Sequence, residues 1–312
     1  MLPTHKLCLL LTRDTKLPAD DLQSTYDDVI LDDEVKDTMR FLVSQSQFSP
    51  DVTSHYLLSQ IKIKGALLYG PPGTGKTHLA RAIAKESGAT MLAVDCATMM
   101  SQWVGETEKY IRAAFSLAAK LSPCILFIDE VDSLFYHRRF NDKTWERSAI
   151  TQFLMEMDGL GQRKDAPFVM VATNRPMDLD DAFLRRLPQK IPFGLPNHTS
   201  RSKILRLFLK EEDLDPLVNI EALATITEGY SGSDLRSLCA EAALLWAIEQ
   251  AKASPENSQD GSVNSISSKL CLTKPHFAKA LLKIRPSVSR SFLGDLNKFT
   301  RRFTPNIRGM QI

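Results

Sequence analysis

Eight residues, Gly70-Pro-Pro-Gly-Thr-Gly-Lys-Thr77, constrain what this chain can fold into more than any other stretch. The spacing is a glycine, four residues and then Gly-Lys-Thr. It needs an apolar strand before it and a helix after it. Both are legible: residues 65–69 are apolar, and the Ala-rich run 77–85 has a helical period. Glycines at such a tip let backbone N–H groups turn inward around phosphate oxygens, and the following helix points its positive end at them. In that arrangement Gly70, Pro71, Pro72, Gly73, Thr74 and Gly75 form the cradle. Lys76 reaches the outer phosphates, and the Thr77 hydroxyl ligates magnesium, with His78 next on the helix.

Further short apolar runs at 90–94, 124–128, 168–172 and 190–193 read as buried strands, separated by helical stretches near 106–121 and 145–157. Another helix is expected over 33–44. Strands alternating with helices predict an α/β fold, a parallel sheet with helices on both faces. Beyond Pro196 the periods turn helical at 200–210, 220–227, 232–251 and 274–283, with no convincing strand. The Ser/Asn/Gly-rich stretch 253–268 reads as a flexible loop. The organisation expected is therefore a flexible arm over 1–22, an α/β domain over 23–196 and a smaller helical domain over 197–312 that includes a C-terminal helix.

Two more strand ends carry chemistry. Cys124-Ile-Leu-Phe-Ile-Asp129-Glu130 ends in adjacent carboxylates. Asp129 is placed to hold magnesium, directly or through water, and Glu130 to polarise an attacking water. In isolation such a pair is as often a solvated turn. Ala172-Thr-Asn174 ends in an amide able to position a water or sense a γ-phosphate, although Asn is also a common turn former.

Composition excludes several alternatives. With 39 Lys+Arg against 37 Asp+Glu the net charge is +2, too balanced for a protein that holds nucleic acid mainly through its phosphates. The five cysteines, Cys8, Cys96, Cys124, Cys239 and Cys271, show neither paired nor metal-ligand spacing, which fits a reducing compartment. No apolar run approaches the ~18 residues of a membrane span.

These motifs together resemble the AAA ATPase family from about residue 24 to 303. The resemblance includes Phe127-Ile-Asp-Glu-Val-Asp132, Met155-Glu-Met-Asp-Gly159, Leu179-Asp-Asp-Ala-Phe-Leu-Arg-Arg186 and Gly229-Tyr-Ser-Gly-Ser-Asp234. Its flavour is that of the subgroup holding spastin, katanin, fidgetin and the mitochondrial outer-membrane protein-sorting ATPase, whose C-terminal signature is similar to 283–289. The resemblance implies a P-loop NTPase sheet followed by a small helical lid, ATP and Mg2+ as ligands, and ATP hydrolysis coupled to remodelling a protein substrate through the pore of a hexameric ring. It implies that Arg185 and Arg186 reach the γ-phosphate on a neighbouring subunit. It also implies that residues 27–31 lie beside the adenine with Gly232 and Ser233 as their lid counterpart, and that Trp103 and Val104 grip substrate in the pore.

The chain departs from the pattern where Ile30 or Leu31 replaces a glycine. It departs again where Gln189 and Lys190 stand near a third basic position, and where Ala149 and Ile150 replace an arginine pair. A cytoplasmic location is expected, with peripheral attachment to an organelle membrane as the analogy-based alternative. A nucleotide-binding scaffold with little turnover is the competing function, and a nucleic-acid motor the weaker one.

Overall fold

The computed structural model describes residues 16–17, 29–30, 33–47, 65–97, 99, 106–136, 144–160, 165–253 and 271–303. In chain order the elements are β1 (Lys16–Leu17), α1 (Asp33–Gln47), β2 (Gly65–Tyr69), α2 (Lys76–Glu86), β3 (Thr90–Asp95), α3 (Thr107–Lys120), β4 (Cys124–Asp129), α4 (Ser133–Tyr136), α5 (Thr144–Gly159), β5 (Phe168–Thr173), α6 (Asp181–Arg186), β6 (Gln189–Pro192), α7 (His198–Phe208), β7 (Asp213–Leu214), α8 (Ile220–Ile226), α9 (Gly232–Ala253), β8 (Cys271–Leu272), α10 (Lys274–Lys283) and α11 (Arg290–Phe303).

The main sheet has the order β1-β3-β4-β5-β2-β6. Strands β3 to β6 and β2 run parallel, while β1 joins the edge antiparallel through Lys16↔Leu92 and Leu17↔Met91. Every residue of β2 and β5 is buried, because helices cover both faces of a parallel sheet and leave no polar side. On one face Met39, Leu42 and Val43 of α1 and Leu79 and Ile83 of α2 pack with Met91, Ile125 and Phe127. On the other face the Phe153 ring stacks on Phe183 at 4.7 Å and meets the edge of Phe115 at 5.6 Å, joining α3, α5 and α6.

The chain divides into two compact units: Met1–Pro71, Gly75–Gly194 and Gly294–Ile312 in one, and Pro72–Thr74 with Leu195–Leu293 in the other. The second unit has its own core, built from Leu205, Leu235, Leu238, Ala242, Trp246 and Phe277.

Three features differ from the sequence expectations. The arm contributes a short strand, β1. The helical region contains the parallel pair β7 and β8, with Asp213↔Cys271 and Leu214↔Leu272 in register. Most of the C-terminal helix, expected with the helical domain, belongs to the first unit. There Phe299 meets Tyr69 edge-on at 5.1 Å, and the Tyr69 hydroxyl donates to Thr300 Oγ1 at 3.2 Å. The proposed loop 253–268 lies, after Ala253, outside the described residues.

Candidate functional site

Parallel strands deliver their carboxyl ends to one edge of the sheet, where open α/β folds hold ligands. Here β2, β4 and β5 present Gly70, Asp129 and Asn174 at that edge, and Asp95 at the end of β3 stands opposite Asp129.

The loop after β2 has a shape only glycine tolerates. Gly70, Gly73 and Gly75 have φ of 151°, 72° and 97°. At Gly70 a Cβ would lie 2.0 Å from the Phe193 carbonyl oxygen, so space and backbone both demand glycine. At Gly75 a Cβ would meet nothing within 4 Å, so only the positive φ does. Gly75 N-caps α2 without a side-chain hydrogen bond, and the first turn of α2 holds no acidic residue. The helix itself thus brings no acidic side chain to its positive end, which favours an anion there.

Lys76 is buried, and its Nζ donates to the carbonyls of Gly70 at 3.0 Å and Pro71 at 2.8 Å. Burial lowers its pKa to about 8, against the opposing pull of Asp129 and Asp132. Thr77 Oγ1 donates to Asp129 Oδ2 at 2.8 Å, bringing together two hard oxygen donors. Such donors suit magnesium, which takes one or two carboxylates and shares the rest of its shell with substrate phosphates and water. The cradle, the ammonium and this oxygen pair all fit a magnesium–triphosphate. His78 is exposed on the first turn of α2.

Asp129 Oδ1 accepts from the Glu130 N–H at 2.9 Å, and Glu130 takes φ 51°, a left-handed turn rare for its residue type. The turn leaves the Glu130 side chain exposed at the site. Its pKa is raised by partial burial first, then by the negative charges of Asp95, Asp129 and Asp132. The neighbouring Cys96 thiol is buried and its pKa is pushed upward, so it is no nucleophile.

Asp132, given no role from sequence, organises the next strand end. Its Oδ1 accepts from Thr173 Oγ1 at 2.7 Å and from the Asn174 N–H at 3.3 Å, while the Val131 N–H donates to the Ala172 carbonyl at 3.2 Å. Its sequence signal is the third acidic position of Asp-Glu-Val-Asp132, but nothing local says what it ties down.

The paired arginines differ. Arg185 is exposed. Arg186 is gripped within its own chain: Nε and Nη2 donate to the two oxygens of Asp158 at 3.1 and 3.0 Å, and Nη1 donates to the Ala182 carbonyl at 3.1 Å. Its hydrogen bonds to the Asp158 carboxylate raise its pKa.

In the second unit the Ser233 N–H donates to the Gly73 carbonyl at 3.2 Å, and a Cβ on Gly73 would come within 2.0 Å of Ser233 Oγ. Gly232 is also close-packed, its own Cβ position 3.0 Å from that same carbonyl oxygen. Asp234 accepts from Ser231 N and Oγ, and from Ser287 N and Oγ, at 2.9–3.3 Å. Ser231 and Asp234 thereby make a capping box at the start of α9 and hold the C-terminal signature segment against it. Of residues 27–31, Val29 is buried in the core and Ile30 is half-buried. Residues 27, 28 and 31, like Trp103 and Val104, lie outside the described residues.

The chain matches the family model "ATPase family associated with various cellular activities (AAA)" over residues 66–195 and the AAA+ lid domain model over 217–260. It is 46% identical over 182 residues to the outer mitochondrial transmembrane helix translocase of Danio rerio, covering 58% of this chain and 48% of that protein. It is 38% identical over 280 residues to spastin of Dictyostelium discoideum, covering 89% and 41%. The matched stretch thus spans about half or less of these curated relatives. A crystal structure of the FIGL-1 AAA domain in complex with ADP superposes with a TM-score of 0.79 at 30% identity, covering 97% of this chain and 98% of that one. No helix among the described residues is long and apolar enough to cross a membrane. Cradle, acidic strand end, lid and relatives converge, and this chain belongs to the AAA family of ATPases.

Proposed function

We propose that the chain binds Mg·ATP at the loop 70–77 and hydrolyses it, and that assembly with further copies of itself completes the site. The observation that carries this reading is the Thr77–Asp129 hydrogen bond at the uncapped start of α2, beside the buried Lys76. The backbone of Gly73, Thr74 and Gly75 and the ammonium of Lys76 hold the phosphates, while Pro71, Pro72 and Gly70 shape the loop. Thr77 and Asp129 hold the magnesium ion, which when bound neutralises charge on the outer phosphates. Glu130 orients and polarises the attacking water and Asn174 fixes that water or the γ-phosphate from the far side. By family analogy Gly232 and Ser233 are the nucleotide-side residues of the helical unit, and His78 lies near the phosphates.

Arg185 supplies positive charge in trans, which makes turnover depend on assembly. Its exposure supports that role, and the grip of Asp158 on Arg186 supports giving Arg186 the part of holding the segment in place. By family analogy the assembly is a hexamer that remodels a protein substrate, with Trp103 and Val104 drawing it through the pore. Replacing Trp103 with Ala should then remove substrate-stimulated turnover.

The decisive variant is Glu130→Gln. Mg·ATP affinity by calorimetry should hold while turnover falls about 100-fold or more, the scale of a lost general base. Turnover at the parental rate would remove Glu130 from the mechanism and favour a scaffold that binds nucleotide without using it.

A further inference from the structure

The last turn of α11 meets the start of α6, the short helix that carries Arg185 and Arg186, and reaches its other end through Lys190 of β6. At the first residue of α6, Arg302 Nη2 donates to both carboxylate oxygens of Asp181, at 3.1 and 2.9 Å. At the other end, Lys190 Nζ donates to the carbonyl of Leu187, the C-cap residue of α6, at 3.1 Å. The same ammonium stands 5.2 Å from the centre of the Phe303 ring, and the Arg302 guanidinium stands 4.7 Å from it. Phe303 also packs on Phe299 at 4.8 Å, and Phe299 in turn is fixed against Tyr69 at the end of β2.

A helix of six residues does not hold its own pose in water, so its direction is set by what grips it. Phe183 and Leu184 anchor one face of α6 in the core. On the exposed side Asp158 holds Arg186, and the contacts at the two ends of the helix act with that hold to aim Arg185.

We propose that Arg302, Lys190 and Phe303 form a clamp that aims Arg185, and so act as positioning residues for the charge Arg185 delivers to a neighbouring copy. The inference rests on the function proposed above. None of the three touches the nucleotide. The clamp also gives Lys190 a purpose other than a further catalytic cation. The Arg302–Asp181 pair is solvent-exposed and adds little to global stability, so its effect lies in orientation. Misplacing a reacting group by about 1 Å can cost ~100-fold in rate.

The test uses the full chain. Arg302→Glu should leave the melting temperature and Mg·ATP affinity as in the parent, and lower turnover at saturating ATP about tenfold. The charge swap Asp181→Arg with Arg302→Glu should restore most of the loss. Arg302→Glu mixed with Lys76→Ala should turn over faster than the two measured apart, because intact pockets then receive a well-aimed Arg185 from the partner variant. No rescue by the swap, or no gain on mixing, overturns the clamp, since a general structural defect predicts neither. Arg185→Ala, assayed alongside, separates the two proposals. If it loses turnover while Arg302→Glu keeps it, the clamp alone falls. If neither loses turnover, or the parent has none, the proposed role of Arg185 falls and the clamp goes with it.

Discussion

At the scale of single residues, Lys76 and the loop glycines make sharply different demands. Lys76→Ala removes a buried ammonium and should weaken Mg·ATP binding roughly 10- to 100-fold, the scale of a charge-assisted hydrogen bond. The pH dependence follows from its depressed pKa of about 8. Below that value the ammonium is charged and attracts phosphate; above it the charge is lost. Affinity should therefore fall as pH rises from 7 to about 9.5, with the fall displaced upward because bound phosphate stabilises the charged form. Calorimetric titrations across that range check the sign. Gly70→Ala should destabilise the fold by about 2 kcal/mol or more in denaturant unfolding, because its Cβ meets backbone at 2.0 Å. Gly75→Ala should cost less in stability, having space and only a strained φ to bear. These residues were legible in the sequence because chemistry fixes their types at fixed spacing. Asp132 and Asp158 were not. Each holds a partner 28 or more positions distant in the chain, and such ties leave no local pattern.

At the scale of elements, a strand buried on both faces announces itself as an unbroken apolar run, so β2, β4 and β5 stood out. Two-residue strands such as β1, β7 and β8 are too short to show a period, and only their partners make them strands. The place of α11 was equally hidden. Its sequence shows an apolar stripe, but which surface receives Leu296 and Phe299 is a tertiary fact. Two elements invite measurement. Phe153→Ala would empty the centre of the ring cluster joining α3, α5 and α6, and should cost about 3–5 kcal/mol in equilibrium unfolding. Asp234→Ala would strip the start of α9 of its acceptor and orphan the N–H of Ser231, for about 2–4 kcal/mol. Unfolding midpoints unchanged by Asp234→Ala would mean that the segment around Ser287 is held by other contacts.

At the scale of the whole molecule, the period changes after Pro196 because buried parallel strands and amphipathic helices differ in period, and the second unit takes up the chain at Leu195. The return of α11 to the first unit had no such marker. The near-balance of charge leaves no large repulsion against self-association. If Arg185 acts across copies, Glu130→Gln with Mg·ATP should elute as an assembly several times the monomer mass. Without nucleotide the same variant should be smaller, as light scattering on the eluate would report.

Asp132 has a consequence for variation at this site. One carboxylate oxygen joins the turn that bears Glu130 to the strand tip that bears Asn174. Substitutions on either side of that oxygen are therefore epistatic, and double-mutant cycles between them will not close to zero. A lineage that drifts at one tip carries the other along, so the side proposed to activate water and the side proposed to sense the γ-phosphate are inherited as one piece.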